Sequence, residues 1–214
     1  MRINQFVAQA TGLSRRKADE LIKIGSVKVN GEIANIGDTI EKESLVTLRD
    51  KKISLKHSRT ILLNKPVGYV CSRDGQGSKT IYELIPKKYH DLKPIGRLDK
   101  DSSGLLLLSN DGELAQKLTH PKYQKSKVYL IRLNKPLLNN DMQLIKSGVM
   151  LSDGLSKLSL KGNGKDWQIT MREGRNRQIR RTFNKLNYEV TKLHRIQFGS
   201  YKLLNQNVGS LSFL

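Results

Sequence analysis

The sequence predicts an α+β protein in two parts: a small N-terminal α/β domain over residues 1–55 and a larger mixed domain over residues 60–214. Three observations support this prediction. The first 25 residues place apolar side chains at helical spacing. A short alternating segment with a tight-turn signal follows. The rest of the chain switches repeatedly between strand-like and helix-like segments, and 37% of the residues are apolar, which is enough to form a core.

The N-terminal domain is predicted to begin with two helices. Phe6, Val7 and Ala10 have helical spacing and indicate the first helix. Ser14 is a good N-cap for the second helix. Gly25 is typical of a residue that ends a helix.

A hairpin and a basic helix together give this domain its predicted character. The segment "SVKVNGEIA" alternates around Asn30-Gly31, which strongly favours a two-residue hairpin turn, and "GDTIEKESLVTL" adds a turn and a strand. Arg15, Arg16 and Lys17 begin the second helix. They could be a solvated helix start, but positive charge is unfavourable at a helix N-terminus unless an anion lies there. We therefore predict that Arg15 and Arg16 contact an anion, and a basic helix followed by a small sheet within about 50 residues favours RNA as that partner.

The segment "DKKISLKHS" at residues 50–58 is polar, basic and without period, so it is predicted to be a linker. Beyond it, "TILLNKPVGYV" predicts a strand and a turn, "KTIYELI" a short helix and "LLLLS" a buried strand. Asn110 and Glu113 suggest a capping box for the helix "ELAQKLT". "KVYLIRL" and "WQITMRE" predict strands, "RNRQIRRTFNKLN" a helix, and "EVTKLHRIQFGSYKL" further strands.

The charge indicates an anionic partner. The chain has 39 Lys and Arg against 19 Asp and Glu, for a net charge of +20. Nucleic acid and an acidic membrane surface are both compatible with this excess.

No apolar run approaches the roughly 20 residues of a membrane span, and the N-terminus lacks the apolar region of a signal peptide. The single cysteine, Cys71, excludes an internal disulfide and a cysteine-based zinc site. We expect a cytoplasmic nucleic-acid-binding protein, with a basic protein that has no specific partner as the alternative.

An unusual acidic pair lies in "GRLDKDSSGLLLLSNDGEL". Asp99 and Asp101 follow Arg97 and come just before the apolar run Leu105–Leu108. A solvated surface pair does not need a buried strand behind it. The pattern instead suggests a carboxylate presented at the edge of a core, whose charged form a neighbouring arginine would favour.

Four blocks of this chain, in this order, resemble the signature blocks of bacterial ribosomal RNA pseudouridine synthases. They are "GRLDKDSSGLLLLSNDGELAQKLTHP", "KVYLIRL", "EGRNRQIRRTF" and "VTKLHRIQFGSYKL". The first 34 residues resemble the ribosomal-protein-S-four-like domain that precedes the catalytic domain in one branch. The resemblance implies a largely antiparallel sheet crossed by an active-site cleft. It also implies an enzyme that detaches a uracil from its ribose, rotates it and rejoins it through carbon 5, without cofactor or metal.

The resemblance also implies roles for particular residues. It makes Asp99 the catalytic carboxylate and places Tyr129 against the target base, where stacking contributes roughly 1–3 kcal/mol. Arg180, or less favourably Arg175, would pair with Asp99. Arg97 would help to hold the flipped nucleotide, with a plain phosphate contact as the alternative.

Other residues of the matched blocks receive weaker expectations. Lys65, in the block "LNKPVGYVCS", would line the rim of the site and contact phosphate. Arg175 and Arg177 would face RNA. Asp101 would play a structural role in a turn, as Asp often does by bonding to its own backbone. His120, an isolated histidine, would be structural or RNA-facing.

Three functions remain open at this point. The first is an active synthase acting on ribosomal RNA, with large-subunit RNA favoured because the Asp99 block looks closer to the enzymes of that subunit. The second is a ribosome-assembly factor that binds RNA on the same fold without catalysis. The third, a non-specific DNA-compacting protein, explains the charge but not the ordered blocks. We expect a monomer, because no apolar stripe indicates an oligomer.

Overall fold

The computed structural model describes residues 1–214, which cluster into two compact units. The first consists of Met1–Arg59 with Asn110–Gly112, and the second of Thr60–Ser109 with Glu113–Leu214. None of the helices has both the length and the apolar character that a membrane-spanning helix needs.

The N-terminal unit packs two helices on a small antiparallel sheet. Its elements are α1 (Ile3–Thr11), α2 (Arg15–Lys23), β1 (Val27–Val29), β2 (Glu32–Ile33), β3 (Val46–Leu48) and β4 (Lys51–Lys52). The strand order is β2-β1-β3-β4. Both helices turn an apolar face to one core, in which Ile3, Val7, Ala18 and Val27 have no exposed surface.

Local sequence signals set the boundaries in this unit as predicted. The Ser14 hydroxyl accepts the N–H of Lys17 at 3.1 Å and caps α2. Gly25, with φ +70°, follows the end of the same helix. Asn30 and Gly31 both have positive φ, at 52° and 92°, which is the conformation of a type I′ turn between β1 and β2. The hairpin prediction is therefore confirmed.

The larger unit is built around one mixed sheet. Along the chain its elements are β5 (Thr60–Lys65), β6 (Lys93–Ile95), β7 (Ser103–Ser109), α3 (Gly112–Thr119), β8 (Lys127–Leu133), α4 (Asn139–Ser147), β9 (Val149–Leu151), β10 (Gly154–Ser156), β11 (Ser159–Asn163), β12 (Asp166–Met171), α5 (Gln178–Asn184), β13 (Val190–Phe198), β14 (Tyr201–Lys202) and β15 (Leu211–Phe213). Short 3₁₀ helices span Ile81–Leu84, Lys87–Tyr89 and Pro121–Tyr123.

The sheet has the order β11-β12-β8-β13-β7-β5-β15, with β6 on β7 and β14 on β13. Every pair is antiparallel except β13 with β7. The largely antiparallel sheet implied by the resemblance is thus confirmed. Strand β9 pairs only with β10 in a separate two-stranded ribbon.

Strand β7 is buried on both faces. Leu105, Leu106, Leu107 and Leu108 have no exposed surface. Leu106 and Leu108 pack into one hydrophobic cluster, whereas Leu105 and Leu107 pack into another on the opposite face. This explains why the strand is a continuous apolar run instead of an alternating one.

Three predictions about local elements require correction. The segment predicted to be a linker, residues 50–58, contains strand β4, which pairs with β3. The helix predicted at "KTIYELI" is only a 3₁₀ turn at Ile81–Leu84. The capping role predicted for Asn110 is wrong, because α3 begins at Gly112. The Asn110 side chain instead accepts the N–H of Arg59 at 2.7 Å and donates to the carbonyl of His57 at 2.9 Å.

Candidate active site

The loop that carries Asp99 runs between β6 and β7, and the buried side chain of Lys65 holds it by hydrogen bonds to its backbone. This lysine is the last residue of β5, lies opposite Gly104 of β7 and has no exposed surface. Its Nζ donates to the carbonyls of Asp99 at 3.1 Å, Ser102 at 2.8 Å and Pro66 at 3.0 Å. The phosphate contact predicted for Lys65 is therefore wrong, because its amine is buried and its three donors are used inside the protein.

The same loop is fixed at the residues on either side of Asp99. The Leu98 N–H donates to Cys71 Sγ at 3.4 Å, and the thiol donates to the Leu98 carbonyl at 3.3 Å. The Lys100 carbonyl accepts the N–H of Gly68 at 2.7 Å. Burial raises the pKa of the Cys71 thiol, which keeps it a neutral donor. Three consecutive backbone positions thus have partners, and the Asp99 carboxylate projects from a rigid support.

The arginine that lies between the carboxylates of Asp99 and Asp101 is Arg177, whereas the sequence resemblance predicted Arg180 or Arg175 beside Asp99. Its Nη1 and Nη2 donate to Asp101 Oδ1 at 3.0 Å and Oδ2 at 2.9 Å, a bidentate pair. The same Nη1 lies 3.6 Å from Asp99 Oδ2. These hydrogen bonds from Arg177 lower the pKa of Asp101, more strongly than the nearby charge of Arg180 does.

The predicted ion pair between Arg180 and Asp99 is wrong, because Arg180 contacts Asp101 instead. Arg180 Nε lies 3.2 Å from Asp101 Oδ2, and its Nη2 donates to the Asp101 carbonyl at 2.9 Å. Its Nη1 donates to the carbonyl of Val190 on β13. Arg180 therefore connects α5, β13 and the Asp101 turn. Asp101 is structural, as predicted, but through two arginines as well as its own turn.

The Arg175 side chain also has a structural role, because it binds backbone carbonyls of the protein itself. Its Nη1 donates to the Asp153 carbonyl at 2.8 Å and to the Gly154 carbonyl at 3.0 Å, and its Nη2 donates to the Leu155 carbonyl at 2.9 Å. It also pairs with the Asp153 carboxylate. Arg175 therefore fixes the turn before β10 and contacts neither Asp99 nor Asp101, contrary to its candidacy as the partner of Asp99.

These groups open onto a pocket of about 330 Å³, which we call the central pocket. Arg97, Asp99, Tyr129 and Arg177 all line it. Tyr129 lies on β8, opposite Ile169 of β12, and only 8% of its surface is exposed. The Arg97 side chain is exposed and makes no hydrogen bond or ion pair. The structure thus brings the Asp99 carboxylate, the Tyr129 ring and the guanidinium groups of Arg97 and Arg177 to one cavity, which Arg175 and Arg195 also line.

Arg195 is a residue of this pocket that sequence reasoning missed. It lies on β13, is 2% exposed, and donates from Nε to the Leu105 carbonyl at 2.8 Å. Its guanidinium carbon lies 4.9 Å from the centre of the Phe198 ring, and Nη2 has no partner. The available signal was its spacing, since Arg195 follows the buried Leu193 by two residues and therefore lies on the same face of the strand. A buried arginine requires partners such as the Leu105 carbonyl and the Phe198 ring.

Arg15 and Arg16 lie in the other unit, in the first turn of α2. Both are exposed. Arg15 Nη2 donates to Asn4 Oδ1 at 3.2 Å, while Arg16 makes no hydrogen bond or ion pair. No group of three or more His, Cys, Asp or Glu side chains is arranged to hold a metal ion.

Comparison with known proteins finds a matching family for each of the two units. A family model described as RNA pseudouridylate synthase matches residues 59–185, and a model of the S4 domain matches residues 1–46. An uncharacterized RNA pseudouridine synthase of Aquifex aeolicus (strain VF5) is 38% identical over 213 residues, which cover 95% of this chain and 86% of the relative.

Two further matches are similarly extensive. Ribosomal large subunit pseudouridine synthase B of Bacillus subtilis (strain 168) is 36% identical over 218 residues, covering 97% of this chain and 89% of the relative. A crystal structure of a pseudouridylate synthase matches with a TM-score of 0.73 at 32% identity, covering 100% of this chain and 96% of that one.

Proposed function

Because the chain belongs to the RNA pseudouridine synthase family, we propose that its substrate is one uridine of ribosomal RNA, with large-subunit RNA favoured. The enzyme class is an isomerase. The choice of RNA is supported by the similar Bacillus subtilis protein, whose name is ribosomal large subunit pseudouridine synthase B. Such an enzyme would act in the cytoplasm, where ribosomes are made, and we propose that it acts as a monomer without metal or cofactor.

The chemistry requires a group that attacks the sugar or the base, and Asp99 is the group we propose. The N1–C1′ bond of the target uridine breaks, a C5–C1′ bond forms, N1 gains a proton and the C5 proton leaves to solvent. Asp99 is the carboxylate of the central pocket whose loop is fixed at three consecutive backbone positions. A carboxylate held this rigidly can act as a covalent nucleophile or as a base.

Arg177 takes the role that the resemblance gave to Arg180. Its guanidinium lies 3.6 Å from Asp99 and is anchored by two hydrogen bonds to Asp101. At this distance the guanidinium lies beside the Asp99 carboxylate without forming the close bidentate contact that it makes with Asp101. Because Asp101 accepts both hydrogen bonds, Asp99 keeps oxygen atoms free to react.

Tyr129 and Arg97 are proposed to hold the nucleotide after it leaves the stack. The target must be extruded for a side chain to reach it, at a cost of a few kcal/mol. Stacking on an aromatic ring contributes roughly 1–3 kcal/mol per base, which is of similar size. Arg97 has no protein partner and is therefore free to contact a phosphate.

The N-terminal domain, residues 1–55, is proposed to add a second RNA contact through Arg15 and Arg16. Two linked contacts raise overall affinity through effective concentration. A chain lacking residues 1–55 should bind the substrate RNA more weakly, while residues 60–214 keep their cooperative unfolding. An unfolded truncated chain would contradict the proposed independence of the two domains.

Tritium release tests the proposed function directly. A large-subunit RNA transcript labelled with tritium at uridine C5 should lose label to solvent with the wild-type enzyme. The Asp99→Asn variant should release label at least ~10³-fold more slowly, about 4 kcal/mol of barrier. Asp153→Asn is the matched control, because that carboxylate also pairs with two arginines but lies outside the central pocket. Equal rates for the wild type and Asp99→Asn would contradict the proposal.

A further inference from the structure

A larger cavity adjoins the central pocket in the same unit. It has a volume of about 1090 Å³ and lies between residues 118–127, 146–159 and 170–175. We call it the flanking groove. Thr119, Lys127, Met171, Gly174 and Arg175 line both cavities. The two are therefore continuous, and a chain that leaves the central pocket can enter the flanking groove.

The rim of the groove carries positive charge that the protein does not neutralise. Lys125, Lys146, Lys157 and Arg172 line it, are exposed, and make no hydrogen bond or ion pair with another side chain. Glu173 is the acidic residue of the lining, and it already contacts Arg175 at 3.3 Å. Four cations without carboxylate partners form a surface that favours phosphate groups.

The floor of the groove is apolar. Leu118, Leu158 and Met171 are each 5% exposed or less. The His120 ring lies in the lining, where its Nδ1 accepts the Lys122 N–H at 3.2 Å and its edge packs on Tyr123 at a centroid distance of 6.3 Å. Cations along a rim with apolar and ring surfaces below are the combination that binds single-stranded nucleic acid, because phosphates and bases both find contacts.

The volume of the flanking groove and the apolar surface of its floor favour an unpaired RNA strand over a paired helix. The groove has more than three times the volume of the central pocket, which under the proposed function takes one nucleotide. It has room for about three nucleotides in an extended strand. A paired helix keeps its bases stacked inside, so its base faces cannot reach Leu158, Met171 or His120.

We propose that the flanking groove binds about three unpaired nucleotides next to the target uridine. The enzyme then selects a uridine in a loop, bulge or opened strand over one in a continuous helix. This inference rests on the proposed function for the identity of the substrate, since it is the target uridine that fixes the strand at the central pocket. The geometry that carries it, however, lies outside the residues assigned to the reaction.

The test measures RNA binding as a function of salt with the full-length chain. The probe is a short RNA strand of mixed sequence, either alone or annealed to its complement, followed by fluorescence anisotropy. The test variant is Lys146→Ala/Lys157→Ala. The matched control is Lys161→Ala/Lys165→Ala, which removes two exposed lysines of the same unit that do not line the groove.

The wild type should bind the single strand more tightly than the duplex. The groove variant should lower the log–log salt slope for the single strand by about 1.4, because each lost phosphate contact removes roughly 0.7. The control variant should leave the slope unchanged. His120→Ala should weaken single-strand binding at least about fivefold and leave duplex binding unchanged, as expected for the loss of one stacking contact.

Three results would overturn the inference: an unchanged slope in the groove variant, an equal fall in the control variant, or equal losses on single strand and duplex. Because this probe carries no ribosomal sequence and requires no turnover, the outcome is separate from that of tritium release. An enzyme that shows the groove effects but releases no tritium from ribosomal RNA would contradict the proposed substrate and leave the groove intact.

Discussion

Replacing Lys65 with methionine tests the support beneath Asp99. Methionine fills nearly the same space but cannot donate to the carbonyls of Pro66, Asp99 and Ser102. Hydrogen bonds from a charged donor contribute about 1.5–3 kcal/mol each, so three of them represent about 4.5–9 kcal/mol. The variant also removes the desolvation cost of a buried ammonium, which is several kcal/mol. We therefore expect a net loss of about 3 kcal/mol in the free energy of unfolding.

Urea denaturation of the wild type, Lys65→Met and Lys79→Met measures this loss. Lys79 is exposed and its amine has no partner, so its variant should unfold like the wild type.

The stability that Lys65 contributes should also depend on pH. Burial lowers the pKa of Lys65 from its ordinary 10.5. Between the lowered pKa and 10.5 the unfolded chain binds more protons than the folded one, so the stability of the wild type relative to Lys65→Met should rise with pH.

A different outcome would refute the reasoning about Lys65. If Lys65→Met unfolded at the wild-type urea concentration but bound RNA with a smaller salt slope, the amine would contact phosphate instead of the loop. The buried geometry requires the opposite pattern. Stability should fall, and turnover should fall with it because the Asp99 loop loses its fixed position, while the salt slope of RNA binding stays constant.

Three further predictions concern the same site. Gly104→Ala should abolish folding or cost several kcal/mol in thermal unfolding, because its Cβ would lie 2.2 Å from the Arg195 carbonyl and φ is +106°; wild-type stability would contradict that close approach. The pKa of Asp101 is lowered from 3.8 by Arg177, so its stabilising effect is fully present above 3.8 and is lost as pH falls through the lowered pKa. In acid titrations monitored by urea unfolding, the advantage of the wild type over Asp101→Asn should therefore disappear, and a constant difference would refute the pairing. In steady-state kinetics Tyr129→Phe should retain turnover and Tyr129→Ala should lose roughly 5- to 150-fold in kcat/KM, as for one stacked base; equal losses would indicate a role for the hydroxyl.

Features that depend on local sequence could be predicted. Asn30-Gly31 forms its turn because both residues tolerate positive φ, and Ser14 caps α2 because its hydroxyl reaches the N–H of Lys17 three residues on. The run Leu105–Leu108 indicated a buried strand because a sheet covered on both faces removes the need for polar alternation. In each case the residues that determine the structure are neighbours along the chain.

Features that depend on contacts across the fold could not be predicted. The sequence does not show that β5 ends beneath the Asp99 loop, so Lys65 looked like a rim residue and not a buried donor. Arg177 and Arg180 lie three residues apart on one basic segment, and only the path of α5 decides which of them reaches Asp99. Asn110 was similarly misassigned because its partners lie about 50 residues earlier in the chain.

Pseudouridine mapping tests the central claim most directly. Large-subunit and small-subunit RNA transcripts are treated with the wild type or with Asp99→Ala, labelled with carbodiimide and read by primer extension. We predict one new stop in large-subunit RNA with the wild type and none with Asp99→Ala, although the variant still binds the RNA. A stop produced equally by Asp99→Ala would contradict the role of this carboxylate, and a stop confined to small-subunit RNA would contradict the proposed substrate.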